Sequence, residues 1–285
     1  MTLPPAMHVY LGDMPVEADV DALLAGGRGF AYGDGLFETM RAVGGEVPWW
    51  PAHRARLARG AERLGIVLPS ARAMDRALRD LLLPHPDAVI KLVLTRGSGS
   101  RGYAPPSDVA SVWMLSASAL PPAPRAGGLV LRWCDLRLAM QPALAGIKHC
   151  NRLEQVLARA EWRDEGIDEG LMLDVEGNVV CATSANVFAL REGRWWTPPV
   201  DRCGVAGVCR EWALQALDAT EGRLTPDELL ASQAVVLCNA VRGILPVSRL
   251  GGHAWPSHPA VGDAQRRLAE AHPAFPVTDR GSPWA

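Results

Sequence analysis

Residues 145–155 read AGIKHCNRLEQ. An apolar approach, Ala145 to Ile147, runs into Lys148 and reaches Asn151, a residue type that opens helices because its side chain can accept a free first-turn amide. Beyond it, Leu153, Val156, Leu157 and Ala160 recur at helical spacing as one apolar stripe before Gly166. Junctions of this kind present side chains to clefts. A lysine there is partly desolvated, which disfavours the ammonium and favours the amine that attacks a carbonyl. A lone lysine beside His149 is more often a solvated loop residue, so the position needs its context.

Working outward, residues 121–128, PPAPRAGG, break two segments that read as strands and mark an interdomain linker. A smaller α+β domain is expected over 1–120 and a larger, β-rich one over 129–285. In the first, residues 53–64 space Leu57, Ala61 and Leu64 helically ahead of a C-terminal cap at Gly65, and Ser70 caps a second helix with Met74, Leu78, Leu81 and Leu82 on one face. Buried strands follow at 88–95 and 109–117. In the second, a strand at 128–134 precedes the Asn151 helix. A hairpin over 170–182 turns at Glu176-Gly177-Asn178, a strand spans 186–190, and a short helical pattern covers 264–271. The fold class is α+β.

Hydrophobic residues make up 48% and charged residues 21% of the 285, with a formal net charge of −2, the balance of an ordinary soluble protein. No basic run is dense enough for nucleic acid, and no apolar stretch approaches the roughly 20 residues needed to span a bilayer. The opening MTLPPAMHVYLGDM does not read as a signal peptide, so a cytoplasmic location is expected. Cys134, Cys150, Cys181, Cys203, Cys209 and Cys238 show neither a CxxC pair nor a nearby histidine partner, which points to buried free thiols and no metal site.

Two further features carry chemistry. The glycine-bearing turns at 204–210 and 238–240 lead into elements whose exposed amides attract phosphate, and Arg56 is a candidate basic partner, although an arginine on an amphipathic helix also suits a solvated face. The loop RGSGSRGY, 96–103, lies between two strong strands. Its arginines and tyrosine suit a ring-bearing dicarboxylate, a plain hairpin loop being the alternative. No helix follows it, which removes a P-loop reading.

Together, RGFAYGDGLFETMR (28–41), HRARL (53–57), TRGSGSRGY (95–103), GIKHCNRLEQVLAR (146–159), TSANVF (183–188), GVAGVCRE (204–211) and CNAVRGILPV (238–247) resemble the class IV fold-type pyridoxal-phosphate enzymes, and within them the aminodeoxychorismate lyases. The resemblance runs from about residue 8 to about residue 250. It implies a two-domain fold, a homodimer, and a small-molecule substrate, 4-amino-4-deoxychorismate, converted to 4-aminobenzoate and pyruvate in folate biosynthesis. It further implies that Lys148 carries pyridoxal 5'-phosphate as an aldimine and shuttles the substrate proton. Arg56, the amides of Val208 and Cys209, and Asn239 would hold the phosphate, with Asn151 near the ring. Arg101 and Tyr103 would contact substrate.

One residue departs from the family pattern. Cys181 stands where a glutamate usually faces the pyridine nitrogen, and a buried thiol stays neutral. That weakens the electron sink, to the greater cost of transamination, while an elimination that forms an aromatic ring tolerates it. The alternatives are a class IV aminotransferase for D-amino or branched-chain amino acids, and a non-catalytic relative that binds the cofactor.

Overall fold

The computed structural model describes residues 6–16, 27–99, 102–106, 109–275 and 277. The chain divides into two compact units, Met1–Pro121 with Ile147–Asn151, and Pro122–Gly146 with Arg152–Ala285. The five residues around Lys148 thus return to the first unit.

That unit holds β1 (Ala6–Leu11), β2 (Met14–Pro15), α1 (Arg28–Tyr32), β3 (Gly35–Ala42), α2 (Trp50–Leu64), α3 (Ala71–Leu82), β4 (Ala88–Thr95) and β5 (Val112–Ser118). Its sheet is antiparallel in the order β2-β1-β5-β4-β3. Ala88, Ile90, Leu92 and Leu94 alternate along β4 to line one buried face, the period-2 pattern of a half-buried strand. Ser70 caps α3 as expected, its Oγ accepting from the Ala73 amide at 3.1 Å, and Met74, Leu78, Leu81 and Leu82 are buried. Gly65 ends α2 with φ 63°, the left-handed conformation that glycine adopts without penalty. The helix begins at Trp50 with Pro51 in its first turn, three residues before the expected start, because proline's fixed φ suits that turn. β5 starts at Val112, later than the expected 109.

The second unit contains β6 (Leu129–Leu138), α4 (Leu153–Ala160), β7 (Glu169–Asp174), β8 (Val179–Ala182), β9 (Asn186–Arg191), β10 (Arg194–Thr197), α5 (Val208–Ala216), β11 (Thr220–Glu221), α6 (Pro226–Leu230), β12 (Ala234–Asn239), β13 (Gly243–Leu250), β14 (His253–Ala254) and α7 (Pro259–Ala271). Strands follow the path β11-β10-β9-β12-β13-β6-β7-β8, and the pair Cys181↔Asn186 between β8 and β9 closes part of it into a ring. Leu131, Leu171, Val187, Val235, Leu237 and Val247, one or more from most strands of that ring, form its apolar core.

Two expectations about α4 are corrected. Asn151 does not cap it: Arg152 is the N-cap residue without a side-chain bond, and the Asn151 amide donates instead to the Gly33 carbonyl at 3.2 Å. The stripe Leu153, Val156 and Leu157 faces outward at 74%, 58% and 59% exposure, and Ala158 is the buried residue of the helix. All six cysteines are free, but Cys150 and Cys203 are only half-buried.

Candidate active site

In the first unit the segment Ile147–Asn151 lies along β3. The Phe37 amide donates to the Lys148 carbonyl at 2.9 Å, the Cys150 amide donates to the Gly35 carbonyl at 2.8 Å, and Leu36 and His149 form an antiparallel bridge. Lys148 is half-buried, its Nζ 4.3 Å from the centroid of the Phe37 ring, a cation–π contact. Gly33, in the turn that leads into β3, has φ 64° and sits so close to Asn151 that a Cβ would meet its amide oxygen at 2.5 Å. Asn151 therefore locks this turn.

Behind β3 lies a buried charge cluster. Arg56 donates through Nε to Glu38 Oε1 at 2.8 Å and through Nη2 to Oε2, while His53 Nδ1 is 2.7 Å from Oε2. Burial pushes the Glu38 carboxyl up, but Arg56 and His53 outweigh it and hold the group at about 2. Burial also lowers His53, against the pull of Glu38 and with the help of the Arg56 and Lys148 charges. Arg56 is a candidate from the sequence. Glu38 and His53 were not, yet a lone carboxylate inside the apolar run GLFETM is the signal that could have found the first.

Tyr103 is on the same unit. Its carbonyl accepts from Arg28 Nη2 at 3.0 Å, its ring meets Tyr32 edge-on at 5.4 Å between centroids, and it is 84% exposed. Arg101 lies outside the described residues.

The second unit contains Val208, Cys209, Asn239 and Cys181. Gly146 pairs with Val205, and Asn186 Nδ2 donates to the Val205 carbonyl at 2.9 Å, which fixes the loop entering α5. Gly207 packs against Asn186 so tightly that a Cβ would overlap the amide oxygen. As N-cap it supplies no side chain, so the amides that open this nine-residue helix remain its donors for an anion. The Cys209 thiol hydrogen-bonds Cys238, next to Asn239 at the end of β12, and that bond together with burial raises Cys209 well above the usual thiol range. Asn239 Oδ1 accepts from the amides of Val241 and Arg242 at 3.0 and 2.8 Å, so this side chain shapes the turn out of β12. Cys181, inside a cluster with Cys134, Met172, Val180 and Trp162, is pushed up to about 12 by burial and then by Cys203, and carries no charge at neutral pH.

Sequence reading also missed Glu169. Its Oε1 accepts from the Thr183 hydroxyl and from the Gly170 amide at 2.9 Å, and its Oε2 from Ser184 Oγ at 2.5 Å. No spacing rule links a strand residue to a bend 14 and 15 positions further on.

In the first unit an amine is held at a sheet edge, where it can attack a carbonyl, and in the second unit an uncapped helix start offers donors to an anion. The model of the amino-transferase class IV family matches residues 35–250, and the chain belongs to that family. The family is pyridoxal phosphate dependent, and the chain is an enzyme of that kind. It is 34% identical over 273 residues to the aminodeoxychorismate lyase of Vibrio harveyi, covering 93% of this chain and 95% of that one. The crystal structure of 4-amino-4-deoxychorismate lyase from Pseudomonas aeruginosa matches with a TM-score of 0.85 and 40% identity, over 92% of this chain and 98% of that one. D-alanine aminotransferase of Listeria innocua is 25% identical over 260 residues, 86% of this chain and 88% of that one.

Proposed function

We propose that this enzyme converts 4-amino-4-deoxychorismate to 4-aminobenzoate and pyruvate in folate biosynthesis, with Lys148 as the residue that carries pyridoxal phosphate and moves the substrate proton. The observation that carries the reading is the placement of Lys148: half-buried, pinned to β3 by backbone hydrogen bonds, and set 4.3 Å from the Phe37 ring. That setting restrains the amine and shields it from water on the ring side. The uncapped amides of Val208 and Cys209 fit a phosphate, and Arg56 and Asn239 are assigned to the same group from the likeness to the family. Asn151 and Cys181 are assigned to the ring, where the neutral thiol supplies no counter-charge.

Bound there, pyridoxal phosphate supplies the electron sink that makes the proton on the amine-bearing carbon removable. Lys148 takes that proton as general base. Departure of the enolpyruvyl ether leaves an aromatic ring, a driving force that a weak sink tolerates. Likeness to two lyases at 34% and 40% identity supports elimination over amino transfer. Arg101 and Tyr103 are assigned to the substrate's carboxylates and ring. The exposed stripe Leu153, Val156 and Leu157 supports a homodimer that covers it. No helix among the described residues is long and apolar enough to cross a membrane, in keeping with a cytoplasmic enzyme.

The test is the visible spectrum of the protein with pyridoxal phosphate, followed by enzymatically generated aminodeoxychorismate with pyruvate monitored. A cofactor band absent from Lys148→Ala, with one pyruvate formed per substrate, is the expected result. A band without pyruvate that is lost on adding an amino acid and restored by a 2-oxo acid would make the chain an aminotransferase. A band without either would make it a silent relative, and no band would overturn the assignment of the cofactor to Lys148.

A further inference from the structure

The second unit contains a cavity of 510 Å³ at the ends of β6, β7, β8, β12 and β13, roofed by residues 122–125. Its floor is apolar, made by Leu129, Leu237 and Leu245. Its polar wall is unbalanced. Arg125, Arg159 and Arg242 face two carboxylates, Asp168 and Glu169.

Both carboxylates are already engaged. Asp168 pairs with Arg125 at 3.3 Å and accepts from the Val130 amide at 2.8 Å, and Glu169 accepts from Thr183, Ser184 and the Gly170 amide. Arg125 also donates to the Glu165 carbonyl, so it is largely committed. Arg242 and Arg159 are not. Each spends one Nη1 donor on a backbone carbonyl, Arg242 on Pro122 at 3.1 Å and Arg159 on Trp162 at 3.0 Å. The guanidinium of Arg159 also sits 4.5 Å from the centroid of the Trp162 ring, which holds it in place. A guanidinium has five N–H donors in a planar fork suited to a carboxylate, so the capacity left in this cavity is for an anion, over a floor suited to an apolar body.

We infer that this cavity binds a small ring carboxylate, its carboxylate held by Arg242 and Arg159 and its ring over Leu129, Leu237 and Leu245. Substrate and product of the reaction proposed above belong to that chemical class, and only this link to the reaction rests on that reading. The anion site itself stands on the arginines; Asn239, assigned above to the cofactor phosphate, also lines the cavity.

Calorimetric titration of the cofactor-loaded protein with benzoate tests it, with neutral benzamide as the matched probe. Benzoate is expected to bind at least about 10-fold more tightly than benzamide. Arg242→Gln and Arg159→Gln should each weaken benzoate by about 10-fold or more, as loss of a charge-assisted hydrogen bond does. If Arg242→Gln fails to fold for want of its tie to Pro122, the exposed Arg159→Gln decides. Equal binding of the two probes, no benzoate binding, or benzoate binding unmoved by the arginine variants would overturn the inference. Lys148→Ala separates the two proposals. It should keep benzoate affinity while losing the cofactor band, and loss of benzoate binding in that variant would assign the anion to the lysine and overturn the arginine site.

Discussion

Arg56 grips Glu38 at two points, Nε on Oε1 at 2.8 Å and Nη2 on Oε2, with both side chains almost wholly buried. A carboxylate in that position is stable only while its partners remain, and it ties α2 to β3, the strand along which Lys148 lies.

Folding stability should therefore depend on pH in the acid range. Glu38 is held at about 2 against an ordinary 4.5, a depressed value, so its contribution is fully present above pH 4.5 and is lost as pH falls toward 2. The loss is about 3 kcal/mol, read from urea denaturation at stepped pH. In Glu38→Gln, which removes the carboxylate that Arg56 grips, stability at neutral pH should drop by about 3–5 kcal/mol, and the acid dependence should flatten. An unchanged acid limb in the variant would remove the pair from the account.

Ser70→Ala tests a smaller, local contribution. The hydroxyl accepts from the Ala73 amide at the start of α3, and its removal should cost about 1 kcal/mol of unfolding free energy, while Ser70→Gly should cost only a few tenths.

Alkylation should distinguish the thiols. Cys181 is sealed among Cys134, Met172 and Trp162 and pushed up to about 12, so the folded protein should leave it unmodified by iodoacetamide at pH 8. Half-buried Cys150 should react before it. Peptide mass spectrometry before and after unfolding makes the comparison, and rapid labelling of Cys181 in the folded state would contradict its burial.

Leu157→Glu places a charge in the exposed stripe of α4. If that stripe is the dimer contact, sedimentation should show a dimer for the parent protein and a monomer for the variant. A dimer that survives the charge would place the contact elsewhere.

Local patterns made much of this molecule readable in one dimension. The α3 face of Met74, Leu78, Leu81 and Leu82, the Ser70 cap, the Gly65 terminus and the alternation along β4 each depend on residues a few positions apart, where helix and strand periods govern what is buried. The α4 stripe shows the limit. Its period was correct, but period alone does not say whether an apolar face meets its own chain or solvent.

The sequence by itself determined the α+β class, the family, and the lysine on which the chemistry is proposed to rest, because those follow from local spacing and from ordered motifs. Only the tertiary structure decided that residues 147–151 return to β3, that Glu38 and His53 stand behind Arg56, and that Arg159 and Arg242 line one cavity. These pairings join residues 15 to more than 100 positions apart. They arise from burial and hydrogen-bond satisfaction across strands, for which a linear chain carries no period.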